Sequence, residues 1–115
     1  MPKLPEMVQA LLEPKAYPDM PQSIELVQTQ MSFVFLADNY VYKVKKPVDL
    51  GYLDYTTLEK RQFFCNQEIK LNRRLCPDVY LSVVPITQDK SGLVLGGQGK
   101  VIEYAVKMRR LPKKS

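Results

Sequence analysis

Glu68 and the lysines Lys43 and Lys45 are the residues whose types and spacing say most about possible chemistry. On a helical wheel, Glu68 falls beside Phe64 and Leu71, on the apolar side of a predicted helix. A carboxylate buried there without a partner would be costly or would take up a proton. The sequence therefore predicts a cation opposite Glu68, unless the side chain lies at the edge of the apolar stripe and reaches solvent.

The predicted cation comes from a strand that carries two lysines. Alternation along residues 40–46 puts Val41, Lys43 and Lys45 on one strand face. Because lysine is rarely buried unless it is paired, we expect one of the two to reach Glu68 and the other to remain in solvent. The alternative is an edge strand that uses lysine to block aggregation.

An α+β fold is predicted to position these residues, in the order β-β-β-α-β-β-β after a short N-terminal helix. A capping box over residues 56–59 is expected to start a helix of about five turns, and Pro77 to close it off. We expect this helix to pack on an antiparallel sheet of five to six strands. The predicted strands are residues 24–29, 32–36, 40–45, 79–87, 93–95 and 101–108.

Composition limits the chain to one domain and excludes several kinds of site. The 115 residues are 45% hydrophobic and 25% charged, and include no His. Cys65 and Cys76 therefore cannot form a zinc site or a nucleophile pair with His, and both are predicted to be buried thiols. With no apolar run long enough for a bilayer and a polar, Pro-broken start, the chain is expected to be cytoplasmic.

The net charge of +5 is concentrated near the C-terminus. Residues 1–99 carry 11 basic and 11 acidic side chains, whereas residues 100–115 carry six basic side chains and one acidic. A nucleic-acid interface usually spreads positive charge over one face of a fold. We therefore expect no nucleic-acid partner, and a small basic RNA-associated protein is the weakest of the alternatives.

Most of residues 24–112 resembles the amino-terminal lobe of the kinase-like aminoglycoside phosphotransferases. The resemblance is closer to a bacterial group of aminoglycoside phosphotransferase-like proteins. The resemblance lies in a lysine on the third strand, an inward glutamate on the following helix, and the strands after it. It implies a kinase-like small lobe at 24–112, preceded by a helix and Pro-rich connector at 1–23 and followed by a basic tail at 113–115. The matching stretches are residues 26–36, 40–49, 64–75 and 103–112.

The resemblance also implies how ATP would be bound. Lys43 would hold the α- and β-phosphates and Glu68 would orient it, with Lys45 as the rival phosphate lysine. Val41 would lie above the base, and Met108 would begin the connector where the adenine edge is read. The turn between the first two strands contains no glycine, but Thr29 and Ser32 could offer hydroxyls to the phosphates.

The family's catalytic Asp and its Mg²⁺-binding residues lie in a second lobe, which is not recognisable here. The chain is therefore expected to bind a nucleotide but not to catalyse phosphoryl transfer alone, and Mg²⁺ is expected only with that lobe. Its expected partners are the nucleotide and a C-terminal catalytic lobe, or a second copy joined through the exposed interlobe face. The rival interpretation is a non-catalytic lobe that serves as a protein-interaction module.

Overall fold

The computed structural model describes residues 4–111, which form an antiparallel sheet with helical segments against it. The basic tail at 113–115, Pro112 and residues 1–3 lie outside the described residues. In chain order the elements are α1 (Glu6–Ala10), a 3₁₀ turn (Pro14–Ala16), β1 (Ile24–Gln28), β2 (Ser32–Ala37), β3 (Tyr40–Lys45), α2 (Leu58–Asn72), β4 (Tyr80–Asp89), β5 (Gly92–Leu95) and β6 (Lys100–Arg109). The α+β class and the antiparallel sheet with a helix packed on it are confirmed, whereas the kinase-like identity of the lobe stays a prediction.

The six strands pair in the order β1-β2-β3-β6-β4-β5, and every neighbouring pair is antiparallel. β3 is therefore an interior strand. The alternative interpretation, that its lysines protect a sheet edge from aggregation, is wrong. The tight β2–β3 turn uses Asp38 at φ +53°, a conformation that Asp tolerates better than most residues. The Asp38 carboxylate also accepts hydrogen bonds from the backbone N–H groups of Gln22 and Ser23.

The main hydrophobic core lies between one face of the sheet and the N-terminal segment. Val8, Leu11 and Tyr17 are fully buried there, against sheet residues that include Phe35 and Val44. The Tyr17 hydroxyl donates a hydrogen bond to the carbonyl oxygen of Leu11, so its buried polar group is satisfied. Residues predicted as a helix and connector thus contribute to the same core as the sheet.

α2 packs against the opposite face of the sheet. Lys43 and Lys45 contact α2, while Tyr42 and Val44, which alternate with them, belong to the core on the N-terminal side. The helix contacts β4 and β6 as well. The sheet is therefore covered on both faces, and none of the helices within residues 4–111 is long and apolar enough to cross a bilayer.

The prediction that the apolar stripe of α2 faces the sheet is wrong. Leu71 and Leu75 are 55% and 82% exposed, whereas Cys65 is fully buried. The side of α2 that faces the sheet carries Arg61, Cys65, Glu68 and Asn72, at the spacing of one helix face. The line of α2 that faces the sheet therefore consists of ion-paired side chains and a small thiol rather than of large apolar side chains.

Three smaller predictions about α2 and its surroundings also need correction. The helix has 15 residues, or about four turns rather than five. Its N-cap is Thr57, whose hydroxyl accepts a hydrogen bond from the Lys60 N–H, so the cap lies one residue later than predicted. Cys76 is exposed, since it follows the end of the helix, and only Cys65 is a buried thiol.

Candidate functional site

Glu68 lies between two lysines and binds both. Lys43 Nζ is 2.8 Å from Oε2, and Lys45 Nζ is 2.8 Å from Oε1. The Glu68 side chain is 15% exposed, so the carboxylate is largely removed from water. The expected ion pair between α2 and β3 is therefore present, but the expectation that one lysine would remain in solvent is wrong.

The geometry of β3 explains how one carboxylate can hold both amines. Residues two apart on a strand project from the same face about 6.6 Å apart, and two long flexible side chains can converge from that distance. The two oxygens of Glu68 each take one amine. Asn72, one turn further along α2, donates a hydrogen bond from Nδ2 to the backbone oxygen of Glu68 at 2.9 Å.

The two lysines differ in their surroundings. The Lys45 side chain is 6% exposed, and its Nζ lies 5.0 Å from the centre of the Tyr55 ring. The Tyr55 ring in turn packs edge-on against Phe64. The Lys43 side chain is 29% exposed, so it is the amine that solvent or a ligand reaches more easily.

Burial and ion pairing oppose each other in the titration of this cluster. Burial alone would raise the pKa of Glu68, but the hydrogen bonds from Lys43 and Lys45 outweigh it and hold that pKa below its usual value. Burial would lower the pKa of Lys45, but its bond to Glu68 raises it instead. Both shifts favour the charged forms of Glu68 and Lys45 at neutral pH. With two lysines around one carboxylate, the cluster carries a formal net charge of +1 at a mostly buried place.

A second buried ion pair, which the sequence reasoning missed, joins α2 to β6. Arg61 Nε lies 3.0 and 3.1 Å from the two carboxylate oxygens of Glu103, and its Nη1 donates to the backbone oxygen of Tyr55 at 2.8 Å. Burial raises the pKa of Glu103, and Arg61 offsets only part of that rise. The signal that could have found the pair is spacing, because Arg61 is two helical turns before Glu68 on the same helix face.

Cys65 lies between the two ion pairs along α2 and is fully buried. Burial raises the pKa of its thiol to about 11. The thiol is therefore protonated at neutral pH and unsuited to act as a nucleophile or metal ligand. Among the described residues, no group of three or more His, Cys, Asp or Glu side chains is placed to hold a metal ion.

Val41 and Met108, the residues predicted beside the base, are direct neighbours on adjacent strands. The register aligns Leu36, Val41, Met108 and Tyr80 in one row across four strands. All four are partly buried, and the row lies two residues along β3 from Lys43, about 6.6 Å away. A half-open apolar row thus adjoins the more accessible lysine.

The turn that contains Thr29 is closed by its own hydrogen bonds. The Thr29 hydroxyl oxygen accepts from the N–H groups of Met31 and Ser32 and lies within donating distance of the Ser32 carbonyl oxygen. Ser32 is buried and is the cross-strand partner of Lys45. The structure therefore places Ser32 beside Lys45 and Thr29 against Ser32, but engages the Thr29 hydroxyl and the Ser32 N–H within the turn.

A groove of about 420 Å³ opens beside the ion pair, on the flank of α2. It is apolar apart from Lys45, Glu68 and Gln67 at its wall, and two of its lining residues, Phe63 and Leu71, are exposed. The remaining lining residues are Leu53, Tyr55 and Phe64.

Comparison with known proteins finds relatives without an assigned activity. An uncharacterized protein of Mycobacterium tuberculosis strain H37Rv is 33% identical to this chain over 69 residues, which are 60% of this chain and 14% of the relative. An uncharacterized protein of Mycobacterium bovis matches to the same extent. No family model and no solved structure matches the chain. The match thus covers about a seventh of these much longer relatives.

Proposed function

We propose that this chain is the nucleotide-binding small lobe of a kinase that resembles the aminoglycoside phosphotransferases, and that it holds the phosphates of ATP. The observation that carries the proposal is the shared carboxylate of Glu68. Two ammonium groups around one carboxylate leave an excess positive charge in a place with little water. A bound phosphate would compensate that charge, and lysine is a suitable point charge for phosphate oxygens.

The neighbouring apolar row supports a nucleotide rather than a simple phosphate ion. Leu36, Val41 and Met108 offer a partly exposed apolar surface on the same sheet face as Lys43. A purine base packed on that row would place its phosphates toward the lysine. Because the Thr29 turn uses its own polar groups, Lys43 is the main phosphate contact in this proposal and the hydroxyls are secondary.

Catalysis by the proposed kinase requires residues outside this lobe. Phosphoryl transfer depends on positioning and on metal charge, and a lysine with its glutamate supplies only part of the positioning. A catalytic lobe elsewhere in a longer polypeptide, or on a partner chain, would supply the remainder. Small-molecule phosphorylation is the activity proposed for such a complete protein.

Titration with MgATP, followed by isothermal calorimetry, tests the proposal. We expect weak saturable binding that Lys43→Met reduces by at least about tenfold, because a charge-assisted hydrogen bond contributes roughly 1.5–3 kcal/mol. Lys90→Met, in the exposed β4–β5 turn, is the matched control and should bind as the wild type does. Equal binding by both variants would contradict the proposal, as would binding of single-stranded RNA in place of ATP with a steep salt dependence.

Association with another polypeptide is a second candidate function, favoured by the groove beside α2. Phe63 and Leu71 continue its apolar lining into solvent, and contiguous exposed apolar surface is typical of interaction sites. Self-association measured by sedimentation, and abolished in a Phe63→Ser, Leu71→Ser variant, would support this function. A monomer at high concentration would count against self-association through this groove.

A further inference from the structure

We infer that Lys43 and Lys45 have separate tasks, which is a refinement that rests on the proposed nucleotide site. Lys45 stays bound to Glu68 and is a positioning residue, whereas Lys43 is the lysine that leaves Glu68 to bind phosphate. The inference rests on the contacts of the Glu68 carboxylate. Each of its oxygens binds a different amine, and Lys45 is enclosed whereas Lys43 is accessible.

The contacts of Lys45 hold it in place. Its ammonium lies over the Tyr55 ring and against Glu68, and its side chain is almost fully enclosed. Tyr55 is itself fixed, since its N–H donates to the Val48 carbonyl oxygen and its own carbonyl oxygen accepts from Arg61. Moving Lys45 out would therefore break contacts on several elements.

Lys43 can move at a lower cost. More of its side chain is exposed, and its cross-strand neighbours, Val34 and Val106, offer it no polar partner on the sheet. Rotation toward a ligand over the apolar row would break only its bond to Glu68. The buried helix–sheet contact of α2 would stay closed during that rotation.

The second amine also changes the electrostatics of this step. If Lys43 were the sole partner of Glu68, its departure would leave a buried, unpaired carboxylate facing the incoming phosphate, and two negative charges would oppose each other. Lys45 remains as the counter-ion and removes that cost. Loss of Lys45 should therefore weaken phosphate binding even though Lys45 does not touch the phosphate.

Variants at position 45 separate this role from a simple structural one. Lys45→Met should weaken MgATP binding by about tenfold, a change equal to ~1.4 kcal/mol, because Glu68 then retains Lys43. Adding Glu68→Gln to that variant should restore most of the affinity, because the retaining carboxylate is gone. Lys45→Arg keeps the positive charge and should bind within about threefold of the wild type, a difference below 1 kcal/mol.

NMR of the lysine ammonium groups in the wild-type chain tests the same point without a substitution. On addition of MgATP, the Lys43 signal should shift and the Lys45 signal should stay nearly unchanged. A shift of Lys45 with Lys43 unchanged would overturn the division of tasks while leaving the nucleotide site intact. A further loss of affinity in the Lys45→Met, Glu68→Gln variant would also overturn it, whereas no response of either lysine would defeat the proposed function itself.

Discussion

At the scale of single residues, Glu68 makes the stability of the fold depend on acidity. Its pKa is lower in the folded state than in the unfolded chain, so the unfolded chain takes up the proton first as the pH falls. The stabilisation from Glu68 is therefore complete above its ordinary pKa and is lost as the pH drops through the folded-state pKa. We expect the free energy of unfolding, measured by urea denaturation, to decline across this acid range.

Glu68→Gln should make that acid decline shallower, because the variant has no carboxylate at position 68 to protonate. Asp89→Asn is the matched control on the surface. The pKa of Asp89 is also lowered, by hydrogen bonds from Ser91, but its side chain is exposed and bonded only within its own turn, so Asp89→Asn should flatten the decline less than Glu68→Gln does. Identical pH profiles for the wild type and Glu68→Gln would contradict a tightly bound carboxylate at this position.

The lysine–glutamate contact was predictable from sequence, but its full composition was not. Glu68 near an apolar stripe and lysines on one strand face imply a cation opposite the acid. The number of amines that bind the carboxylate depends on the distance between helix and strand, which no sequence pattern predicts. The Arg61–Glu103 pair was still harder to predict, because spacing places Arg61 on the helix face of Glu68 but does not indicate which acid, 42 residues later, lies opposite it.

At the scale of elements, α2 is attached to the sheet at two places. Arg61 and Glu68 are seven residues apart, so the two ion pairs lie about 10 Å apart along the helix axis. Arg61→Ala would leave Glu103 buried without a cation, with only the Tyr104 N–H as hydrogen-bond donor, and should lower the free energy of unfolding by roughly 3–5 kcal/mol. Urea denaturation followed by circular dichroism measures that loss.

Two further variants show whether the loss comes from an unpaired buried charge. Replacing both partners by apolar residues, as Arg61→Met with Glu103→Leu, should recover most of the lost stability. Lys60→Ala, one position away, removes an exposed pair with Asp54 and should change stability little. A double variant as unstable as Arg61→Ala alone would contradict this account.

The direction of α2 is where sequence reasoning failed at the element scale. An apolar stripe normally marks the side of a helix that faces the core, and Phe64, Leu71 and Leu75 form such a stripe. In this helix the buried line is rotated by about 70° toward Arg61 and Asn72, as follows from 100° per residue. Part of the apolar stripe lines the open groove instead, so a pattern that usually marks a buried helix face here marks a partly exposed one.

At the scale of the whole molecule, the N-terminal segment and α2 cover opposite faces of one sheet. The strand bounds were predicted to within two residues because β-branched and aromatic runs end at clear turn residues. The packing of residues 4–22 onto the sheet was not predicted, since a short helix between prolines carries no periodic signal long enough to assign a buried face. The structure nevertheless gives this segment some of the most buried side chains of the core.

We therefore expect the N-terminal segment and the sheet to unfold together. Leu11 is fully buried against the sheet, so Leu11→Ala should cost about 2–5 kcal/mol, a large share of the stability of a domain this size. Circular dichroism, which reports on the whole sheet, should show one transition at a lower urea concentration. The opening free energy that hydrogen exchange reports for β3 amides should fall by the same amount.

Leu75→Ala removes an equally large side chain from an exposed position and should change stability by no more than about 0.5 kcal/mol. The contrast between Leu11 and Leu75 isolates the contribution of burial from that of side-chain size. If Leu11→Ala left β3 exchange unchanged and loosened only residues near α1, the N-terminal segment would be an independent attachment. In that case the sheet core would have to be stable without the cover that this face receives from Val8, Leu11 and Tyr17.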